Sequence, residues 1–275
     1  MKSGVVKVDD ELDLFYEESG HGDIPILFVP GWTMSTAVFK RQLSHYENSD
    51  RYRFITLDPR AHGRSSNTAD GHFYEQHGRD LYAFIEALDL QNVVLGGWSF
   101  GTLHTLAYVE QFGAERLAGF VMIDGPPRAT GHDSAQEWVT YTYEDHDRSQ
   151  EFFTCGKLRD RDNTNRMFAA WMLENKSEEN IRWLIDITQQ TPDTAASLLN
   201  ATAVYLDYRD TLIELHNAVP LLYYMRHDQL SVAEDWAREF TPQARVHAHG
   251  EHMMFWEEAE RFNHNLGEFL AGIRV

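Results

Sequence analysis

Val93-Val94-Leu95-Gly96-Gly97-Trp98-Ser99-Phe100-Gly101-Thr102-Leu103 joins two hydrophobic patterns within one short stretch. Its opening residues form a brief apolar run, as in a strand buried on both faces. Beyond Ser99, Leu103, Leu106, Ala107 and Val109 recur at helical spacing until Phe112-Gly113. Between the two patterns stands Gly97-Trp98-Ser99-Phe100-Gly101, a G-x-S-x-G at a strand-to-helix turn. A turn this tight leaves no room for Cβ atoms on its flanks, which the two glycines satisfy. The spacing predicts Ser99 strained at the tip, its hydroxyl exposed. The following helix N-terminus then offers amides and a positive dipole to a developing oxyanion, which is the setting of a serine nucleophile.

Outward from this turn the same β-then-α rhythm continues. Leu12, Leu14 and Tyr16 alternate with polar residues as in a half-exposed strand. Ile26–Val29, Phe54–Leu57 and Leu117–Ile123 are short apolar runs closed by Pro, Asp or Gly. His77, Leu81, Phe84, Ile85 and Leu88 mark a helix between two of them. The expected fold class is therefore α/β, a mostly parallel, helix-covered sheet. From Pro126 to about residue 215 the rhythm stops, and the segment reads as all-helical and rich in Trp, Tyr, Met and Phe. It resumes with a strand at Leu221–Met225, a helix around Val232–Phe240, a strand at Arg245–His249 and a closing helix from about Glu258. Residues 1–125 and 216–275 thus read as the core domain and 126–215 as an inserted helical cap. A cap over the carboxyl ends of the strands faces the place where open α/β sheets take ligands.

Composition narrows the function classes. Among 275 residues, 24 Lys+Arg stand against 43 Asp+Glu, a formal charge of −19. Such a chain advertises no basic footprint for nucleic acid. The insertion carries −7 of that charge, close to its share by length, so the acidity marks no single site. Cys155 is the single cysteine and excludes a disulfide scaffold. No leader-like apolar stretch and no membrane-length run is evident, so a cytoplasmic protein acting on a small molecule, with no membrane partner, is expected. The composition is silent on oligomeric state.

Three further stretches supply candidate chemistry. Phe28-Val29-Pro30-Gly31-Trp32 follows the second strand, and its turn can aim the Trp32 amide at the same oxyanion position as the Phe100 amide. His247, His249 and His252 crowd the last strand and its loop. The first two are two apart and share a face of the strand, whereas His252 lies in the loop and is the candidate general base. No thiolate or carboxylate accompanies the trio at a recognised ligand spacing, so no metal is expected. For the acid, Asp124 closes the Leu117–Ile123 strand and Asp228 follows Leu221–Met225; Asp124 is preferred, with Asp228 the alternative.

Together these motifs resemble the α/β-hydrolase family, in particular its small serine esterase and cofactor-free haloperoxidase-like branch. Pro30-Gly31-Trp32 resembles the family's oxyanion loop, Gly97–Gly101 its nucleophile elbow, and Gly250-Glu251-His252 its G-x-H segment. Asp58-Pro59-Arg60-Ala61-His62-Gly63-Arg64-Ser65 resembles its D-x-R-G-H-G-x-S loop, with Ala61 where glycine is usual. The resemblance implies a cofactor-free serine hydrolase that cleaves a small, apolar carboxylic ester or lactone through an acyl-enzyme. Two other functions fit the same frame. One is a cofactor-independent dioxygenase of the 3-hydroxy-4-oxoquinoline type, which shares the acid position of Asp124 but carries histidine beside the serine. The other is a ligand-binding scaffold without turnover.

Overall fold

Each continuous apolar run becomes a buried strand. A computed structural model describes residues 1–273, the side chain at position 146 excepted. In chain order the strands are β1 (Lys2–Lys7), β2 (Asp13–Ser19), β3 (Ile24–Val29), β4 (Tyr52–Leu57), β5 (Val93–Trp98), β6 (Leu117–Ile123), β7 (Arg128–Gly131), β8 (Val139–Thr142), β9 (Leu221–Met225) and β10 (Arg245–Ala248). Eight of them form one sheet in the order β1-β2-β4-β3-β5-β6-β9-β10. The β1–β2 and β2–β4 pairs are antiparallel and the rest parallel. Every residue of β5 and β9 is buried, as expected for strands covered on both faces. The helices Tyr74–Ala87 and Gly101–Phe112 pack together over the sheet, and Lys40–Tyr46 packs with the closing helix Ala259–Ala271.

The parallel register matters most for function. Val29 pairs with Gly97, Trp98 with Ile123, and Ile123 with Tyr224. The residues that leave β3, β5, β6 and β9 therefore emerge side by side at one edge: the Trp32 loop, Ser99, Asp124 and Arg226. Adjacent backbones lock this edge, with the Ser99 amide donating to the Ile123 carbonyl and the Asp124 amide to the Tyr224 carbonyl, both at 2.8 Å.

The segment between β6 and β9 departs from the all-helical expectation. It contains six helices and a π-helical turn at Gln150–Gly156, but it opens with a parallel pair, β7 and β8, in which Arg128 faces Val139 and Thr130 faces Tyr141. The intervening turn is held by two side chains: Glu137 accepts from the amides of His132 and Asp133 and from the Arg128 guanidinium, and Asp133 accepts from the Ala135 amide. Such side-chain-to-backbone bonding leaves no periodic trace in the sequence.

Candidate active site

The elbow is built by glycine. A Cβ on Gly97 would stand 2.4 Å from the Gly101 carbonyl, and one on Gly101 would stand 2.3 Å from the Val29 carbonyl oxygen. Only glycine lets helix Gly101–Phe112 start this close to the ends of β3 and β5. Ser99 itself takes φ +56°, Asp124 takes +44° and Thr33 takes +59°. Three neighbouring residues in the left-handed region are a store of backbone strain of about 1–3 kcal/mol each, held by the surrounding sheet and characteristic of functional sites.

His252 enters from the loop after β10 and is buried. Its Nδ1 stands 2.5 Å from Asp124 Oδ2. The indole of Trp98, the residue before Ser99, donates to the His252 carbonyl at 2.8 Å, so the elbow itself pins the histidine's backbone. The imidazole lies between the rings of Trp98 and Trp171, at 5.1 and 4.6 Å. Burial disfavours its charged form and lowers its proton affinity below the ordinary histidine range, with Asp124 opposing. Burial also works against the Asp124 charge, but the His252 contact and the Arg226 guanidinium outweigh it and hold the carboxyl below its usual range. Arg226 contributes both a backbone amide, 3.3 Å from Asp124 Oδ1, and its Nε, 2.9 Å from Oδ2. The resting pair is thus a neutral imidazole on an ionised carboxylate.

The other candidates fall elsewhere. Asp228 is two-thirds exposed and meets Arg226 at 3.7 Å, away from His252. His249 is fully buried beneath the sheet edge, 3.1 Å from the Asn265 amide nitrogen and 3.6 Å from Glu258, and burial pushes it down to about 4. His247 is half-buried beside Tyr224. Among the described residues no group of three His, Cys, Asp or Glu side chains is arranged to hold a metal ion, and no helix is long and apolar enough to cross a membrane.

Ser99, Asp124 and His252 line one cavity with Trp32 and Phe100. Neither the Trp32 amide nor the Phe100 amide has a protein acceptor among the described residues, so both are available to an oxyanion. Tyr141, Phe153, Phe168 and Trp171 from the inserted segment close the cavity, while Trp138 is buried against Tyr223 and Trp236 as plain core. The aromatic residues of the insertion therefore divide between pocket wall and packing.

The Trp32 loop is braced from two sides. The indole of Trp32 donates to the Ala196 carbonyl at 2.7 Å and packs edge-on against Phe153 and Phe168. Behind it, His62 accepts from the Thr33 amide at 3.2 Å through Nε2 and meets the Arg60 carbonyl at 2.8 Å through Nδ1, which sets its tautomer. The Asp58–Ser65 loop is thus structural support, and Ala61 adopts φ +59° at the position where the family usually has glycine.

Lys157 is the residue that sequence reasoning missed. It is 1% exposed, donates to Asn165 Oδ1 and to Thr188 Oγ1, and lies 5.4 Å from the Trp32 ring centre. Thr188 in turn shares a 2.6 Å hydrogen bond with Thr33. Its partners are long-range, so no local pattern announces it. Burial lowers its ammonium to about 8. The folded state then holds this proton less tightly than the unfolded chain, so the penalty is fully present below about pH 8 and fades as pH rises towards the unfolded lysine value. In Lys157→Met the penalty is absent. The stability of the parent relative to the variant is accordingly expected to rise by up to about 3 kcal/mol between pH 7 and 10, from denaturant titrations of both proteins. Lost hydrogen bonds shift the difference by a constant and leave this slope; a flat difference across that range refutes the buried charge.

The family described as the alpha/beta hydrolase fold matches residues 24–259. A non-heme chloroperoxidase of Burkholderia pyrrocinia is 36% identical over 125 residues, 44% of this chain and 45% of that protein. A bifunctional esterase/perhydrolase of Acinetobacter calcoaceticus is 31% identical over 125 residues, 45% of each. Each of these matches spans less than half the length of the relative. Among solved structures, a bromoperoxidase from Bacillus anthracis superimposes with a TM-score of 0.84 at 23% identity, over 98% of this chain and all of that one.

Proposed function

The chain belongs to the α/β-hydrolase family, and from that premise we propose that it is a serine hydrolase cleaving a small, apolar carboxylic ester or lactone through an acyl-enzyme. The carrying observation is Ser99 on a strained strand exit, in one cavity with a His252 whose Nδ1 is held by Asp124. With Nδ1 engaged, Nε2 is the nitrogen left to accept the Ser99 proton as Oγ attacks the carbonyl carbon. The resulting oxyanion forms beside the free amides of Trp32 and Phe100; one such donor is typically worth about a hundred- to a thousandfold in rate. Imidazolium then protonates the departing alkoxide, leaving Ser99 acylated. Water, deprotonated by His252, attacks the acyl carbon and restores the serine. Core residues 1–125 and 216–275 supply the reacting groups in this reading, and the 126–215 cap shapes the substrate side. The names of the relatives, an esterase/perhydrolase among them, support the reaction class.

A fluorophosphonate probe tests the proposal. Expected are one covalent adduct, mapped by mass spectrometry to the Ser99 peptide, and a burst of p-nitrophenol on mixing with activated esters. A chain that binds apolar esters tightly yet takes no label is a scaffold, and the hydrolase reading falls.

One observation favours a second reading. His252 pairs with the acid after β6, not the one after β9, and this is the placement of the cofactor-independent dioxygenases named above. Their histidine beside the serine is replaced here by Trp98 and Phe100. Oxygen uptake with a 3-hydroxy-4-oxoquinoline, in the absence of Ser99 labelling, would establish that reading instead.

A further inference from the structure

Trp171, Phe168, Phe153 and Tyr141 have two open sides. One faces the Ser99 cavity; the other lines a second hollow that opens to solvent and is extended by Phe152 and Met167. The two hollows therefore share an aromatic wall. Trp171 is its pivot: its ring meets the His252 imidazole at 4.6 Å and lies nearly parallel to Phe168, yet the residue is 48% exposed. Met167, farther out, is 51% exposed. Large apolar side chains left open beside a reactive serine have a cost in water that a bound apolar group would relieve. The inner cavity also presents the polar groups of Gln229, Asn200 and Thr140, and the Arg226 guanidinium lies 5.5 Å from the Trp171 ring centre. Beyond Trp171 the apolar lining continues through Phe152 and Met167. At the outer rim Arg148 lies 3.8 Å from Asp145, so the charged groups there compensate one another and offer nothing to an ionic tail.

We propose that the outer hollow is a subsite for the distal part of an unbranched alkyl chain on the acyl group, which passes Trp171 while its carbonyl carbon rests at Ser99. This inference rests on the hydrolase reading and adds its substrate class: medium-chain acyl esters, not acetates. A flexible chain suits the site because it can bend around the wall, and Met167 can adapt to methylenes of varying position. Neither the Ser99–His252–Asp124 geometry nor the oxyanion amides require Met167, which touches only the outer hollow.

The test uses the full chain and a series of p-nitrophenyl esters from acetate to octanoate. kcat/KM is expected to rise by up to about fourfold for each methylene that reaches the hollow, the rate equivalent of ~0.8 kcal/mol. Met167→Glu, a change at a half-exposed helical position, is expected to cut the octanoate-to-acetate ratio at least tenfold, while Met167→Leu keeps it. A flat series with Ser99-dependent acetate hydrolysis overturns the subsite and leaves the hydrolase reading standing. An unchanged ratio in Met167→Glu does the same. Absence of any Ser99-dependent ester turnover overturns both.

Discussion

Ser99→Ala is expected to lower kcat for p-nitrophenyl ester hydrolysis by about a millionfold, to the residue that binding and oxyanion stabilisation sustain alone. The magnitude follows from the covalent route. Without Oγ no acyl-enzyme forms, and the imidazole of His252 has no proton to take from a nucleophile held in the cavity. The fold is expected to survive. Ser99 already occupies φ +56°, a strain that alanine inherits, and its amide bond to the Ile123 carbonyl is made by the backbone. A melting temperature within a few degrees of the parent, with the fluorophosphonate adduct gone, is the matching control. Activity retained within tenfold of the parent would exclude Ser99 as nucleophile.

Asp124→Asn carries the second largest effect, a loss of about a thousand- to ten-thousandfold in kcat, against a change within about twofold for Asp228→Asn. The reason is a proton position. The carboxylate of Asp124 can only accept, so it requires N–H at His252 Nδ1 and leaves Nε2 free to take the Ser99 proton. The amide of asparagine can present N–H to Nδ1 instead, which stabilises the opposite tautomer and blocks the base. Arg226 adds to the loss, because its guanidinium, 2.9 Å from the carboxylate, is left without its compensating charge. Asp228 stands in solvent and holds nothing but an arginine already paired. If Asp228→Asn proved the more damaging change, the acid assignment would be reversed.

These two positions show how much of the site was legible beforehand. The elbow is a local object: glycines, serine and the change from strand to helix lie within a few residues, so Ser99 could be read from sequence. His252 was similarly marked by its loop position after the last strand. The acid was not. Asp124 and Asp228 each follow a buried strand, and nothing within either segment distinguishes them. The choice arises from pairing across the sheet, where Ile123 sits opposite Tyr224 and the Asp124 amide is tied to the Tyr224 carbonyl. Asp124 Oδ2 there meets His252 Nδ1, and Arg226, one residue beyond β9, reaches the same carboxylate oxygen through Nε.

The fold divides along the same line. Strands β3 to β6 and β9 were visible because a strand buried on both faces has no polar alternation to confuse it with its surroundings. β1, an antiparallel edge strand of Lys2-Ser3-Gly4-Val5-Val6-Lys7, was not, since four of its six residues face water. β7 and β8 were concealed by a turn that Glu137 organises through backbone amides. The second apolar hollow and the Lys157–Thr188–Thr33 connection were equally out of reach, because the first joins separate helices of the insertion and the second joins the insertion to the loop after β3. Sequence by itself determined the α/β architecture and marked Ser99 and His252 as the candidate nucleophile and base, all properties of short segments with their own steric and hydrophobic signature. Tertiary structure alone decided which aspartate stands against His252, the bracing of the Trp32 loop and the walls of the Ser99 cavity, because these depend on register and on contacts between segments distant along the chain.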